Sequence, residues 1–218
     1  MRSFNQTLLT TFAVGLLILL AVSCVTVPKE EIEIYRYAIE PAREFIPADT
    51  VLPLRIKVVP FTTDALYRGG RIIYSTSGRR TDHYYYHRWL APAEAQLTDI
   101  VANNLLGWGI FGKGVMTADN GLIPTHELSC RLTKLLAVNI RKEYAAVMEL
   151  DCIFSAIDPK TYDKSLIFQK KYTLSHSRTD DNINSFIAGV DSLTADWLLK
   201  LRLDLLPYLL DEAEKYPR

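Results

Sequence analysis

Net charge is the first thing this chain lacks: Lys and Arg number 25, Asp and Glu number 25, and the formal charge is zero. Such a balance leaves no basic field to hold nucleic acid or an anionic bilayer through bulk electrostatics, so nucleic-acid partners are excluded. Reactive residues are scarce as well, with three cysteines and four histidines. No Gly-x-Ser-x-Gly elbow occurs, and the sequence brings no Cys next to a His. Paired acids such as Asp180-Asp181 fall in a turn-like segment with Thr and Asn, where a solvated loop is the plain reading. No internal repeat or low-complexity tract interrupts the chain. These absences argue against an enzyme and against a bound metal or cofactor. What is present is 49% hydrophobic residues against 23% charged over 218 residues, enough for one ordinary core.

The N-terminus reads as an export signal rather than part of the fold. Arg2 gives a short positive start, Leu8 to Leu20 is an apolar run broken only by Thr and Gly, and Ala21-Val22-Ser23 precedes Cys24. Small residues ahead of a cysteine form a lipobox, in which a peptidase fits the backbone and the thiol carries the lipid. The apolar run is shorter than the roughly 20 residues of a spanning helix. Residues 1–23 are therefore expected to be a lipoprotein signal peptide, with Cys24 as the lipidation site and acyl chains as the contact with outer-membrane lipids. Val25-Thr26 follows with no Asp, which by the usual bacterial sorting habit predicts the outer membrane, facing the periplasm. Residues 24–34, with Pro28 and Lys29-Glu30-Glu31, read as a tether, and residues 35–218 as a single domain.

Within the domain, Tyr35 to Ala38 reads as a short strand. Leu54 to Phe61 reads as a central strand closed by Pro60. Arg71 to Tyr74 and Tyr84 to Trp89 flank a polar stretch from Ser75 to Asp82, as in a hairpin with a long turn. From Pro92 to Leu106 the residues Leu97, Ile100, Val101, Asn104 and Leu105 recur at helical spacing, with Asn104 the flaw in the apolar face. Gly107 and Gly109 should stop that helix, and Gly109 to Gly112 should open a strand. Period-2 burial is clearest in the second half. Leu128, Cys130, Leu132, Leu136 and Val138 alternate with Lys134 the exception; Tyr144 to Ala156 alternates without one; Leu166, Phe168, Tyr172 and Leu174 continue. Asn184 to Leu205 repeats apolar residues every three to four positions, and Pro207 should kink or end it. The fold class is thus α+β, a mainly antiparallel sheet with two amphipathic helices packed on one face.

Two motifs invite chemistry and fail on context. Gly107-Trp-Gly109-Ile-Phe-Gly112 fits a dinucleotide fingerprint letter by letter, but its glycines end a helix instead of opening one. His83 and His87 stand four apart in a strand, pointing one way but too far apart to share an ion easily. Aromatics are the remaining functional signal. Twelve tyrosines include Tyr67, Tyr74, Tyr84, Tyr85 and Tyr86. Alternation places Tyr84 and Tyr86 on the face opposite Tyr85, and these two are the candidate partner-docking residues, the other reading being that they pack core and rim.

The Arg71-Ile-Ile-Tyr74 strand, Tyr86-His87-Arg88-Trp89 running into Ala91-Pro92, the amphipathic helix and Gly109-Ile-Phe-Gly112 together resemble the ABC-type transport auxiliary lipoprotein family. The resemblance spans about Tyr35 to about Leu210. It implies a non-catalytic part in carrying lipids between membranes, with the lipoprotein docking a periplasm-spanning mammalian-cell-entry-domain protein and, through it, an inner-membrane transporter. A homo-oligomer is compatible with it. The alternatives are an envelope scaffold or regulator of cell-wall synthesis, or a periplasmic enzyme with a site assembled from distant residues.

Parity offers one covalent expectation. In an antiparallel hairpin, opposed residue numbers have a constant sum, and two strands that bury even numbers must have an even one. Opposing Cys130 to Cys152 centres the turn on Arg141, within the polar Asn139 to Glu143 segment. In an oxidising compartment the pair can form a disulfide; two reduced core cysteines are the other possibility.

Overall fold

The computed structural model describes residues 33–42, 47–118 and 121–214, all but the first within one unit, Ile34–Arg218. The signal peptide, Cys24 and the tether as far as residue 32 lie outside the described residues.

Among the described residues, nine strands and two α-helices follow in order: β1 (Tyr35–Tyr37), β2 (Ile56–Val58), β3 (Thr62–Thr63), β4 (Arg71–Ser77), β5 (Arg80–Trp89), α1 (Ala93–Trp108), β6 (Val115–Met116), β7 (His126–Ile140), β8 (Glu143–Ile157), β9 (Lys164–Ser177) and α2 (Ile183–Glu214). The class is α+β, and the sheet is mixed: its long ladders are antiparallel as expected, but short parallel pairings join them, so it is not purely antiparallel. Only β4–β5, β7–β8 and β8–β9 pair antiparallel; β1–β5, β2–β6, β2–β7, β3–β7 and β4–β7 are parallel. Alternation reports which face a residue occupies and carries no information on strand direction, and strands of two or three residues offer no alternation to read.

The sheet is organised around β7. One edge of β7 carries β8 along its whole length. The other edge is divided among β2 at residues 126–128, β3 at 131–132 and β4 at 136–138, so the sheet curls as its neighbours change. Cys130 lies directly opposite Cys152, their Cα atoms 4.1 Å apart, and a disulfide joins them on the core face. The register then slips: Leu132 opposes Leu150, but Lys134 opposes Glu149. This bulge at Thr133 corrects the predicted burial of Leu136 and Val138 in the main core. Leu135 and Ala137 take the core face, opposite Met148 and Ala146. Leu136 and Val138 cross to the other face and pack with Tyr67 and Ile73. The slip also tightens the hairpin to a two-residue turn, Arg141-Lys142, both with left-handed backbone (φ 49° and 68°), which suits the twist of the flanking strands.

Both helices bury one face in the same core. α1 contributes Leu97, Val101, Leu105 and Trp108, and α2 contributes Phe186, Val190, Leu193, Trp197, Leu201, Leu205 and Leu209. Trp197, fully buried, meets the edges of Phe61 at 6.1 Å and Tyr172 at 6.4 Å. Pro92 caps α1 instead of beginning it, and Gly109 ends it in the left-handed conformation (φ 72°). No strand forms at Gly109 to Gly112. Phe111 makes a single bridge to Leu52, and a Cβ on Gly112 would stand 2.8 Å from the Leu52 carbonyl oxygen, so this glycine permits a close backbone approach. Asn182 starts α2, its Oδ1 accepting the Asn184 N–H at 2.8 Å. Of the two outcomes expected at Pro207, a kink or an end, the end does not occur: the helix continues to Glu214. Pro207 is exposed, while Leu205 and Leu209 on either side are fully buried and anchor both flanks of the proline to the core.

Candidate partner-docking surface

The aromatic hairpin is tighter at its turn than its composition suggests and looser in its middle. β4 and β5 are joined through Gly78-Arg79, not a long polar turn. Ile73 opposes His83, yet Arg71 opposes Arg88, so two steps along β4 match five along β5. The extra residues bulge out around Tyr84 to His87 and break the alternation on which the face assignment rested. Tyr84 turns inward: its ring lies 4.8 Å from that of Tyr74, and its hydroxyl accepts Nδ2 of Asn139 at 3.3 Å. Tyr85 and Tyr86 both remain outside, 64% and 49% exposed, packed edge to face at 5.1 Å. Of the two predicted docking residues, Tyr86 is therefore exposed and Tyr84 is half-buried against the core. Tyr85 takes its place, which period-2 reading could not have found.

His87 forms the floor of this region. Its Nδ1 is 2.9 Å from the Tyr37 hydroxyl, and its ring stacks under Tyr35 at 5.5 Å. β1 pairs with β5 only at His87, Arg88 and Trp89, so among the described residues the outer edge of β5 from Arg80 to Tyr86 has no strand beside it. Leu90 at 64% and Tyr35 at 49% extend the exposed apolar ledge along the same edge. His83 lies beyond the bulge, 3.5 Å from the Asp82 carboxylate.

Behind Tyr84, Arg178 ties the start of α2 to the end of β7. Its guanidinium donates to the Val138 carbonyl at 3.2 Å, to the Asn139 side chain and to the Asn182 carbonyl at 3.3 Å. Burial lowers its pKa from the usual arginine value. The ledge thus rests on a fixed support rather than a loose hairpin.

Two open clefts lie elsewhere, on the helix layer. One of about 660 Å³ is lined by Ile39, Glu40, Ile100, Asn104, Leu106 and Leu198 among others. The second, about 350 Å³, runs along α2. Among the described residues, no three His, Cys, Asp or Glu side chains gather as a metal site, and no helix is long and apolar enough to cross a membrane. His126 is buried at the start of β7, stacked on Phe154 at 5.2 Å.

These features define a curled-sheet α+β domain with a helix pair on one face and an aromatic ledge on a free sheet edge. No family model matches the chain, and no curated protein matches it. Its fold is similar to that of protein XCC0632 from Xanthomonas campestris, of family DUF330, with TM-score 0.63 and 15% identity over 77% of this chain and 91% of that one. A crystal structure titled only as an uncharacterized protein gives TM-score 0.59 and 13% identity, over 79% and 99%. The hypothetical protein CT253 from Chlamydia trachomatis, at TM-score 0.47 and 9% identity over 71% and 96%, is too distant to carry an argument. At these identities the likeness is one of fold.

Proposed function

We propose that this chain is an outer-membrane lipoprotein, anchored through Cys24 and facing the periplasm. In this reading it serves as a non-catalytic auxiliary component of an intermembrane lipid transport system and docks a periplasm-spanning mammalian-cell-entry-domain protein. The lipobox ahead of Cys24 and the resemblance of the Arg71 to Gly112 block to the auxiliary lipoproteins support the anchor and the system. The docking role rests on one observation, the Tyr85–Tyr86 ledge beside an unpaired stretch of β5. Unpaired backbone groups invite an extended partner segment to add as a strand, and the two tyrosines supply apolar faces with wet hydroxyl ends for its side chains.

The test is capture of the mammalian-cell-entry-domain protein by the full chain in membranes. Tyr85→Ser/Tyr86→Ser should weaken capture by roughly thirtyfold, the scale of a lost hot spot, while leaving the melting temperature in place. Tyr84→Ser should do the reverse, because that ring is packed inside. Equal capture by the Tyr85→Ser/Tyr86→Ser protein would refute the docking role.

A further inference from the structure

Three arginines stand side by side across the sheet with no carboxylate between them. Arg88 of β5 is directly opposite Arg36 of β1 on one side and Arg71 of β4 on the other. Directly opposed residues send their side chains to one face, and here it is the face away from the helices, because the adjacent Tyr37, Trp89 and Ile72 all turn into the main core. Neighbouring strands lie about 4.8 Å apart, so three guanidinium groups can reach a common point above the row. Arg36 and Arg71 are exposed and Arg88 is half-buried. Arg68 adds an exposed cation at the approach, next to Tyr67, which packs against Ile73 on that same face. Among the described residues none of these four guanidinium groups makes a hydrogen bond or an ion pair. Carboxylates that share the face are engaged elsewhere, Asp64 by Arg131 at 2.6 Å and Glu149 by Lys134 and by Lys171, while Asp151 stands opposite Arg131 on β8, two strands beyond β4. Like charges set directly opposite one another cost stability, so a row of three left uncompensated points to a counter-charge from outside the chain. Net neutrality excludes a bulk basic field but not a local site.

We propose that Arg36, Arg88 and Arg71 bind the phosphate of an anionic phospholipid headgroup, an inference that rests on the membrane anchor at Cys24 and not on the docking ledge. All three cations are arginine, whose planar fork donates two parallel hydrogen bonds to a pair of oxygens, where lysine supplies only a point charge. A carboxylate holds its two oxygens in one plane, which one fork fills. The oxygens of a phosphate point in several directions and can be met from three strands at once. Shape selects the source of that phosphate. The row lies open on a sheet face, and neither of the two clefts is lined by any of its residues, so a phosphate free in solution would find little to enclose it. One fixed in a bilayer is presented by the anchor. Arg36 follows Cys24 by twelve residues, at most about 40 Å of extended chain, which keeps the row within reach of a headgroup layer at high effective concentration. Ile34 and Leu90, each two residues from an arginine of the row, are exposed apolar neighbours, and charge beside apolar reach suits the headgroup boundary.

Native mass spectrometry of the full chain, purified from membranes in nonionic detergent with phosphatidylglycerol or phosphatidylcholine added, tests this. The same spectrum weighs the acyl groups on Cys24, so a missing anchor and a missing site are read separately. The expected result is one phosphatidylglycerol held about tenfold more tightly than phosphatidylcholine. Arg88→Gln should remove most of that preference, and Arg36→Gln/Arg71→Gln/Arg88→Gln all of it. The melting temperature of the triple variant should hold or rise, because opposed like charges have been relieved. Arg88→Lys, which keeps the charge and loses the fork, should fall between the natural chain and Arg88→Gln. An unacylated chain overturns the anchor on which the proposal rests. With the anchor present, four outcomes overturn the site itself: equal retention of the two lipids, a triple variant that keeps the preference, a triple variant that melts lower, and displacement of the lipid by an equal concentration of inorganic phosphate or hexaglutamate. Displacement by phosphate would assign the row to a soluble phosphate compound, and displacement by hexaglutamate to an acidic segment of a partner protein.

Discussion

The two edges of β7 are built in opposite ways. On one, β8 arrives through a two-residue turn and stays paired from His126 to Ile140, and β9 follows β8 in the same manner. On the other, β2, β3 and β4 come from 63 to 70 residues earlier in the chain, and each holds only two or three positions of β7. A local hairpin gains its ladder for little loop entropy; short strands from far away must be fastened by side chains. The fasteners are visible. Thr98 Oγ1 accepts the Phe61 N–H at 2.9 Å between β2 and β3, and Arg55, next to β2, donates to the carbonyls of Lys113 and Ile123 at 2.9 and 3.2 Å. The difference locates the proposed docking ledge. It belongs to β5, which reaches β7 only through β4, so local opening there need not unfold the meander.

The largest test of this contrast cuts the strong edge. Cys130→Ala/Cys152→Ala, which opens a loop spanning 22 residues, should cost about 3 kcal/mol in urea unfolding, and the loss should be global. A loss confined to β8 and β9 in hydrogen exchange would break the comparison. Next, Gly112→Ala attacks the weak edge. The added methyl group meets the Leu52 carbonyl, which backbone geometry fixes, and should cost about 2 kcal/mol. Exchange should accelerate in β2 and β6 while β7 and β8 stay protected. The smallest effect is electrostatic. Hydrogen bonds from Lys134 and Lys171, which flank Glu149 on the sheet face away from the helices, hold its carboxyl below the ordinary 4.5. Because the folded value is lowered, the stabilisation is complete above about 4.5 and disappears as pH falls through the lowered value. Glu149→Gln should cost about 0.5–1 kcal/mol at neutral pH and flatten stability against pH below 4.5, measured by urea titration at stepped pH.

The same contrast explains what could be read from the residues alone. β7, β8 and β9 were legible because each alternates over many residues, and a constant sum was enough to set Cys130 against Cys152. That sum holds only as far as Leu132. The bulge at Thr133 has no signature beyond Lys134, a charged residue where an apolar one belongs, and it moved Leu136 and Val138 to the other face. Both helices show their periods, but of the two outcomes expected at Pro207, a kink or an end, the end does not occur, because propensity cannot register that Leu205 and Leu209 are packed on either side of it. The parallel strands were the least legible. Ile56 to Val58 or Thr62-Thr63 becomes a strand only because β7 is there to pair with it. At the ledge the tyrosine cluster was visible, while the bulge that exchanges Tyr84 for Tyr85 depends on how β4 and β5 fit and leaves no local mark.

β9 bears on specificity in a further way. It is a 14-residue strand paired only with β8, so among the described residues its outer edge is a long row of open backbone groups. Such an edge is a template for the strand of any passing molecule, and β9 is defended: Lys164, Lys170 and Lys171 interrupt it, each held by a carboxylate of a neighbouring element at 2.6–2.8 Å. The free part of β5 ends instead in two bare tyrosines. Under the proposed docking role, an extended segment would be discouraged at the lysine-guarded edge of β9 and received by aromatic rings at β5, so the same defence that limits fibrous self-association would also direct a partner strand to the ledge.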